Sequence, residues 1–80
     1  MQRTLQSPRH ERLRALLVQA RLDAGLTQTD VAKRLGRYQS FVATVESGQR
    51  RVDVVEFLAI AEAIGFDPAK VISDLRKLKS

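Results

Sequence analysis

Residues 27–47, TQTDVAKRLGRYQSFVATVES, decide the fold because they carry the signals of two short helices joined by a tight turn. Thr27, followed three residues later by Asp30, has the form of a capping box, which starts the first of these helices. Gly36 ends it, since glycine tolerates the positive φ that a sharp turn needs. Ala32 lies four residues before Gly36, and a small residue there lets two helices cross closely. The apolar positions expected to face a shared core are Val31, Leu35, Phe41, Val42 and Val45.

The rest of the chain continues the pattern of helices that begin at caps and end at glycines. Start signals stand at Ser7–Pro8, at Asp53 with Glu56, and at Asp67–Pro68. The expected core positions are Leu13, Leu16, Leu17 and Ala20 in the first helix, Val54, Phe57, Leu58, Ala61 and Ile64 in the fourth, and Val71, Ile72, Leu75 and Leu78 in the last. The sequence therefore predicts an all-α fold of five helices in a single domain, residues 1–80, with residues 1–6 as a flexible arm.

The charge of the chain is unevenly distributed. Its 80 residues include 14 Lys and Arg and 9 Asp and Glu, a net charge of +5. Residues 1–27 and residues 28–52 each hold five basic and two acidic side chains, whereas residues 53–80 hold four basic and five acidic ones. A basic part beside a near-neutral part is typical of a nucleic-acid binder.

Several classes of protein are disfavoured by what the sequence lacks. The absence of cysteine excludes disulfides, cysteine zinc sites and thiol catalysis. His10 is the single histidine, has no second ligand at metal spacing and is expected on a helix surface, so neither a metal nor a cofactor is predicted. No glycine-rich phosphate loop, HExxH motif or nucleophile setting indicates an enzyme. No signal peptide and no apolar run of about 20 residues is found, which predicts a cytoplasmic protein without a membrane span.

The helix pair at 27–47 leaves two interpretations open: an ordinary helical hairpin in a bundle, or a DNA-binding helix-turn-helix. The second helix would turn four residues outward: Gln39, Ser40, Ala43 and Thr44. Glutamine can pair with the major-groove edge of adenine, Ser and Thr can hydrogen-bond several bases, and an Ala or Thr methyl can contact thymine. We interpret these four as candidate base-contacting residues, with a merely solvated polar face as the alternative.

The segment 21–52, RLDAGLTQTDVAKRLGRYQSFVATVESGQRRV, followed by VVEFLAIAEAIGF, resembles the Cro and phage-repressor (XRE) type of helix-turn-helix family over roughly residues 9–72. The resemblance implies a sequence-specific transcriptional regulator that binds operator DNA as a homodimer, with the helix from Gln39 in the major groove. It also implies that Gln28 holds a backbone phosphate and braces Gln39. Arg21 and Glu46 match a family ion pair between the first and third helices.

The predicted phosphate contacts flank the helix that begins at Gln39. Besides Gln28, they are Arg37, Tyr38, Arg50 and Arg51. Tyr38 stands where the family usually has a Ser or Thr cap, so either the helix begins differently or the tyrosine itself reaches a phosphate.

Apolar residues beyond the needs of the core predict a dimer interface in the near-neutral third of the chain. These residues are Val55, Ala59, Phe66, Ile72 and Leu75. The alternative for Phe66 and Leu75 is that they close the core of one protomer. The alternative function is an antitoxin or adaptor module on the same fold, which binds a protein partner such as a toxin.

Overall fold

The computed structural model describes residues 7–79, and the predicted arm over residues 1–6 lies outside them. Its helices are α1 (Pro8–Asp23), α2 (Gln28–Leu35), α3 (Gln39–Glu46), α4 (Val54–Ile64) and α5 (Pro68–Arg76). Residues 7–79 contain no strand, so the prediction of an all-α fold with five helices is confirmed.

The helix boundaries follow the capping signals in the sequence. Thr27 Oγ1 accepts a hydrogen bond from the Asp30 amide at 3.0 Å, and Asp30 Oδ2 accepts one from the Thr27 amide at 2.9 Å. Asp53 and Glu56 form the second reciprocal box at the start of α4. These contacts satisfy amides that the helix itself cannot satisfy, which confirms both predicted capping boxes.

The core consists of two adjoining groups of buried side chains between the helices. Leu17, Val45, Phe57 and Ile60 form the first group, and Val31, Ala32 and Val42 form the second. Leu35, Phe41 and Ile64 pack against both groups, which makes the core continuous. α2 packs on α3 and α4, while α1 packs on α3 and α5.

The core face of α4 differs from the predicted one. Val54 is 73% exposed and Leu58 45% exposed, whereas Ile60, which was not predicted, is buried. The residues that face the core follow Phe57 at intervals of 3, 4 and 7 residues, which places them on one face of the helix: Ile60, Ala61 and Ile64. Assigning Val54 and Leu58 to the core was therefore wrong, because both lie on the side of α4 that is turned away from α2 and α3.

His10 is buried rather than on the surface of α1, so that prediction was also wrong. Only 5% of it is exposed, and its Nε2 lies 3.1 Å from the carbonyl oxygen of Gly48. Gly48 has φ of +85°, and a Cβ there would stand 3.0 Å from Cδ of Arg14. The loop after α3 therefore passes close to the first two turns of α1, where a larger residue at position 48 would be strained.

Polar contacts join α1 to α5. Arg9 donates from Nε to the carbonyl oxygens of Leu75 and Leu78 at 3.1 and 2.7 Å. Arg12 forms two hydrogen bonds with the Asp74 carboxylate, both 3.1 Å long. In the part of the chain that the structure describes, no helix is long and apolar enough to cross a membrane, and no cluster of three potential metal ligands occurs.

Candidate nucleic-acid interface

The turn between α2 and α3 sets the direction of α3. Gly36 adopts φ of +68°, and the amide of Arg37 donates to the Ala32 carbonyl oxygen at 2.9 Å. Ala32 is buried, which permits the close crossing of the two helices expected from its small side chain. Since Val42 and Val45 face the core, the opposite side of α3 faces solvent.

The four predicted base-contacting residues lie on or beside this solvent-facing side. Gln39 and Ser40 are exposed, while Ala43 and Thr44 are half-buried. The hydroxyl of Thr44 lies within 3.0 Å of the Ser40 and Phe41 carbonyl oxygens, to which it donates within the helix. Thr44 therefore offers its methyl group and oxygen lone pairs, rather than a donor, to a ligand.

A chain of side-chain hydrogen bonds runs from the interior to the first residue of α3. The Arg21 guanidinium donates to both carboxylate oxygens of Glu46, from Nε at 2.7 Å and from Nη2 at 3.0 Å. Glu46 Oε1 also accepts from Nε2 of Gln28 at 2.9 Å, and Gln28 Oε1 accepts from Nε2 of Gln39 at 2.6 Å. We name these four residues the Arg21–Gln39 relay.

The relay orients the amide of Gln39. One N–H of this amide is directed to Gln28, and within residues 7–79 its second N–H and its Oε1 have no other hydrogen-bond partner. A donor and an acceptor side by side are the pair that matches N7 and the N6 amino group of adenine. Within residues 7–79, the Gln39 amide thus keeps a donor and an acceptor that are not used by another group, while its hydrogen bond to Gln28 holds it in place.

Positive charge is arranged around the start of α3. The Arg37 guanidinium carbon lies 3.8 Å from the centroid of the Phe41 ring, and that of Arg50 lies 4.8 Å from it. Both arginines approach Glu56, Arg50 with Nη2 2.8 Å from Oε2 and Arg37 with Nη1 3.8 Å from the same oxygen. The hydrogen bonds from Arg50 are the main reason why the pKa of Glu56 is lowered. We name these four residues the Glu56 cluster.

The two other predicted phosphate-contacting residues are exposed on either side of α3. Tyr38 is the N-cap of α3, makes no capping hydrogen bond with its side chain and is 86% exposed. Arg51 lies in the loop between α3 and α4. Although a tyrosine occupies its cap position, α3 begins at Gln39, as predicted.

The five predicted interface residues fall into three different surroundings. Phe66 packs against the core, with its ring centroid 5.9 Å from that of Phe57. Val55 and Ala59 line a shallow depression beside Arg37 and Phe41. Ile72 and Leu75 line a separate apolar groove of about 420 Å³. Phe66 therefore packs within its own protomer, as the alternative interpretation has it, and the prediction of a dimer interface through the other four residues stays a prediction.

This second depression, the α4–α5 groove, includes residues that sequence reasoning assigned to the core. Its apolar lining comprises Leu13, Val52, Val54, Phe57, Leu58, Pro68, Ala69, Ile72 and Leu75. The exposed Val54 and Leu58 follow helical spacing as core residues do, so periodicity alone did not separate the two groups.

Comparison with known proteins is consistent with this geometry. A family model described as a helix-turn-helix domain matches residues 12–71. A solved XRE-family-like protein from Pseudomonas syringae pv. tomato str. DC3000 shares 44% sequence identity over 90% of this chain and 88% of its own, with a TM-score of 0.82. This chain belongs to the XRE-type helix-turn-helix family.

Two further solved structures have a similar fold at lower sequence identity. The restriction-modification controller protein C.AhdI from Aeromonas hydrophila is 34% identical, with 74% of this chain and 86% of that chain covered and a TM-score of 0.69. The clp gene regulator ClgR from C. glutamicum is 24% identical, with coverage of 84% and 87% and a TM-score of 0.75, a likeness of fold. The search of curated protein sequences gave no match.

Proposed function

We propose that this XRE-type protein is a sequence-specific transcriptional regulator that binds operator DNA as a homodimer, with α3 in the major groove. The observation that carries the proposal is the Arg21–Gln39 relay, which fixes an exposed glutamine amide at the first turn of α3. Gln39 is proposed to contact adenine, with Ser40, Ala43 and Thr44 as the neighbouring base contacts. That the restriction-modification controller protein C.AhdI, 34% identical to this chain, shares the fold supports the regulatory role.

The proposed phosphate contacts surround α3 and carry no sequence information themselves. They are Gln28, Arg37, Tyr38 and Arg51, while Arg50 is engaged with Glu56 in the free protein. The positive net charge favours DNA in general, and affinity is expected to fall steeply as salt rises.

Replacing Gln39 with alanine is expected to weaken binding to the preferred operator by about 1–3 kcal/mol, because the paired contact to adenine is lost. The operator is first selected from random DNA, and affinities for it and for random DNA are then measured at several salt concentrations. Gln19→Ala is the matched control, since Gln19 is an exposed glutamine on α1 whose side chain donates to Asp23 of the same helix.

Two results would count against this assignment. An equal loss on operator and on random DNA would make Gln39 a phosphate contact. No binding to DNA at any salt concentration, together with copurification of a second protein, would favour the antitoxin or adaptor function.

The homodimer is proposed to form through the α4–α5 groove. Val54, Leu58 and Ile72 are large apolar residues that lie exposed there, and the segment that carries them is near neutral, so repulsion between protomers is small. An interface there involves α4 and α5 and leaves the exposed side of α3 available. Two copies of α3 would then contact half-sites about 34 Å apart, one turn of DNA.

Ile72→Glu is expected to convert the dimer into a folded monomer, since a carboxylate would be buried in an apolar interface. Sedimentation measures the mass, and circular dichroism verifies that the helices are retained. Ser73→Glu is the control, because it introduces the same charge at the next, exposed position of α5. A dimer of unchanged stability in the Ile72 variant would refute the α4–α5 groove as the interface.

A further inference from the structure

The Glu56 cluster contains two arginines and one carboxylate beside the proposed DNA-binding helix, and the two arginines are held differently. Arg50 donates to Glu56 from Nη1 at 3.0 Å and from Nη2 at 2.8 Å, and Nη1 also donates to the carbonyl oxygen of Arg51 at 2.6 Å. Both terminal nitrogens of Arg50 are therefore engaged within the protein. A phosphate oxygen could reach the N–H groups that face Glu56 only by displacing the carboxylate, which also offsets the charge of Arg50 at hydrogen-bond distance.

Arg37 has a looser relation to the same carboxylate. Its Nη1 lies 3.8 Å from Glu56 Oε2, beyond hydrogen-bond distance, and its guanidinium lies closer to the Phe41 ring than that of Arg50 does. Stacking on an aromatic ring holds the plane of the guanidinium while leaving its edge N–H groups available. Arg37 is thus oriented by the ring, and its ion pair with Glu56 is longer than the hydrogen-bonded one that Arg50 makes.

Glu56 is itself held in place, so the two arginines keep their different contacts with it. Its carboxylate also accepts from the Asp53 amide at 3.0 Å as part of the capping box of α4, and its side chain is 19% exposed. A carboxylate fixed by a helix start cannot move away with Arg50 when DNA approaches. If a phosphate replaced Glu56 as the partner of Arg50, the Glu56 carboxylate would be left unpaired beside the negatively charged backbone of DNA.

We propose that Glu56 is a positioning residue that withholds Arg50 from the DNA backbone and leaves Arg37 as the phosphate-binding arginine of the cluster. This inference rests on the proposed function, because it concerns the number of phosphate contacts made in the same complex. The carboxylate thereby limits the sequence-independent part of the affinity, which is the part that depends on phosphate contacts.

The test is the salt dependence of binding by the Glu56→Gln variant of the whole chain. Glutamine keeps an oxygen that can accept from the Asp53 amide, so the capping box survives, whereas the charge that holds Arg50 is removed. We expect the released Arg50 to add one phosphate contact in each protomer. The slope of log K against log salt should then steepen by about 0.9 per protomer, or about 1.8 for a dimer, on operator and random DNA alike.

Two controls separate this effect from the change in net charge. Glu62→Gln makes the same change at an exposed position of α4, and its slope should equal that of the original protein. In the Glu56→Gln, Arg50→Gln double variant, the additional slope should disappear. An unchanged slope or weaker binding in Glu56→Gln would overturn the proposal, as would an increase that persists in the double variant.

If Glu56→Gln does not fold, Arg50→Gln alone still decides the question. Its slope should equal that of the original protein, since Arg50 contributes no phosphate contact while Glu56 is present. A slope reduced by about 0.9 per protomer would show that Arg50 already contacts phosphate and would overturn the proposal. Failure of the proposed function would look different, since the unaltered protein itself would then not bind DNA.

Discussion

Replacing Glu46 with alanine is expected to lower the free energy of unfolding by about 3 kcal/mol, the lower end of the range for breaking a buried ion pair. Glu46 is buried and accepts three hydrogen bonds, two from Arg21 and one from Gln28. Its removal leaves the guanidinium of Arg21 largely buried without its carboxylate. The lower end applies because 13% of the Arg21 side chain remains in contact with solvent.

The same variant should also lose selectivity in DNA binding beyond what its stability explains. Without Glu46, Nε2 of Gln28 has lost its acceptor, and Gln28 no longer holds the amide of Gln39 in one orientation. Urea denaturation measures stability, and the ratio of affinities for operator and random DNA is measured at a temperature where the variant is folded.

An apolar replacement of both ion-pair partners is the informative control for Glu46. Arg21→Met with Glu46→Leu should recover most of the stability, because no charge is then left unpaired. It should not recover the selectivity, since neither residue can hold Gln28. A destabilisation below about 1 kcal/mol in Glu46→Ala would mean that the pair behaves as an exposed one.

Replacing Phe57 with alanine is expected to cost about 3–5 kcal/mol, the range for a buried phenylalanine. Its ring joins Leu17, Val45 and Ile60 in the core and contacts the ring of Phe66. Domains have only about 5–15 kcal/mol of stability in total, so a large part of this small domain's stability would be lost. Denaturation in urea, followed by circular dichroism, provides the measurement.

Two variants test the packing around Phe57. Phe57→Leu keeps most of the apolar volume and should cost clearly less than the alanine variant. Phe66→Ala should destabilise each protomer without changing the mass measured by sedimentation at concentrations where it is folded. A loss of dimer mass in a stable Phe66 variant would restore Phe66 to the interface.

Local signals account for the parts of the fold that could be predicted from the sequence. The capping boxes at Thr27 and Asp53 act over three residues, so they identify helix starts without knowledge of the rest of the chain. Gly36 likewise determines the turn through its own backbone. The solvent-facing side of α3 followed because Val42 and Val45 had to face inward.

Features that depend on contacts between distant segments could not be predicted in this way. His10 is buried because the loop carrying Gly48 passes over α1, 38 residues later in the sequence. The sequence did not predict that Glu56 holds Arg50, because the capping box of α4 already accounted for a glutamate at this position. Periodicity left Val54 and Leu58 indistinguishable from core residues, because the side of α4 that is covered depends on how the helix packs against α2 and α3.

The start of α3 differs from the other helix starts in residues 7–79, because Tyr38 provides no side-chain cap while Ser7, Thr27, Asp53 and Asp67 do. A capping side chain is worth about 1 kcal/mol, so the first turn of α3 should open locally at a lower free energy than the other first turns. In the proposed complex, the backbone of this turn would then adjust most easily, while the Arg21–Gln39 relay keeps the side-chain amide of Gln39 in place. We expect this turn to adapt to small differences in groove width between operators while Val42 and Val45 stay packed in the core.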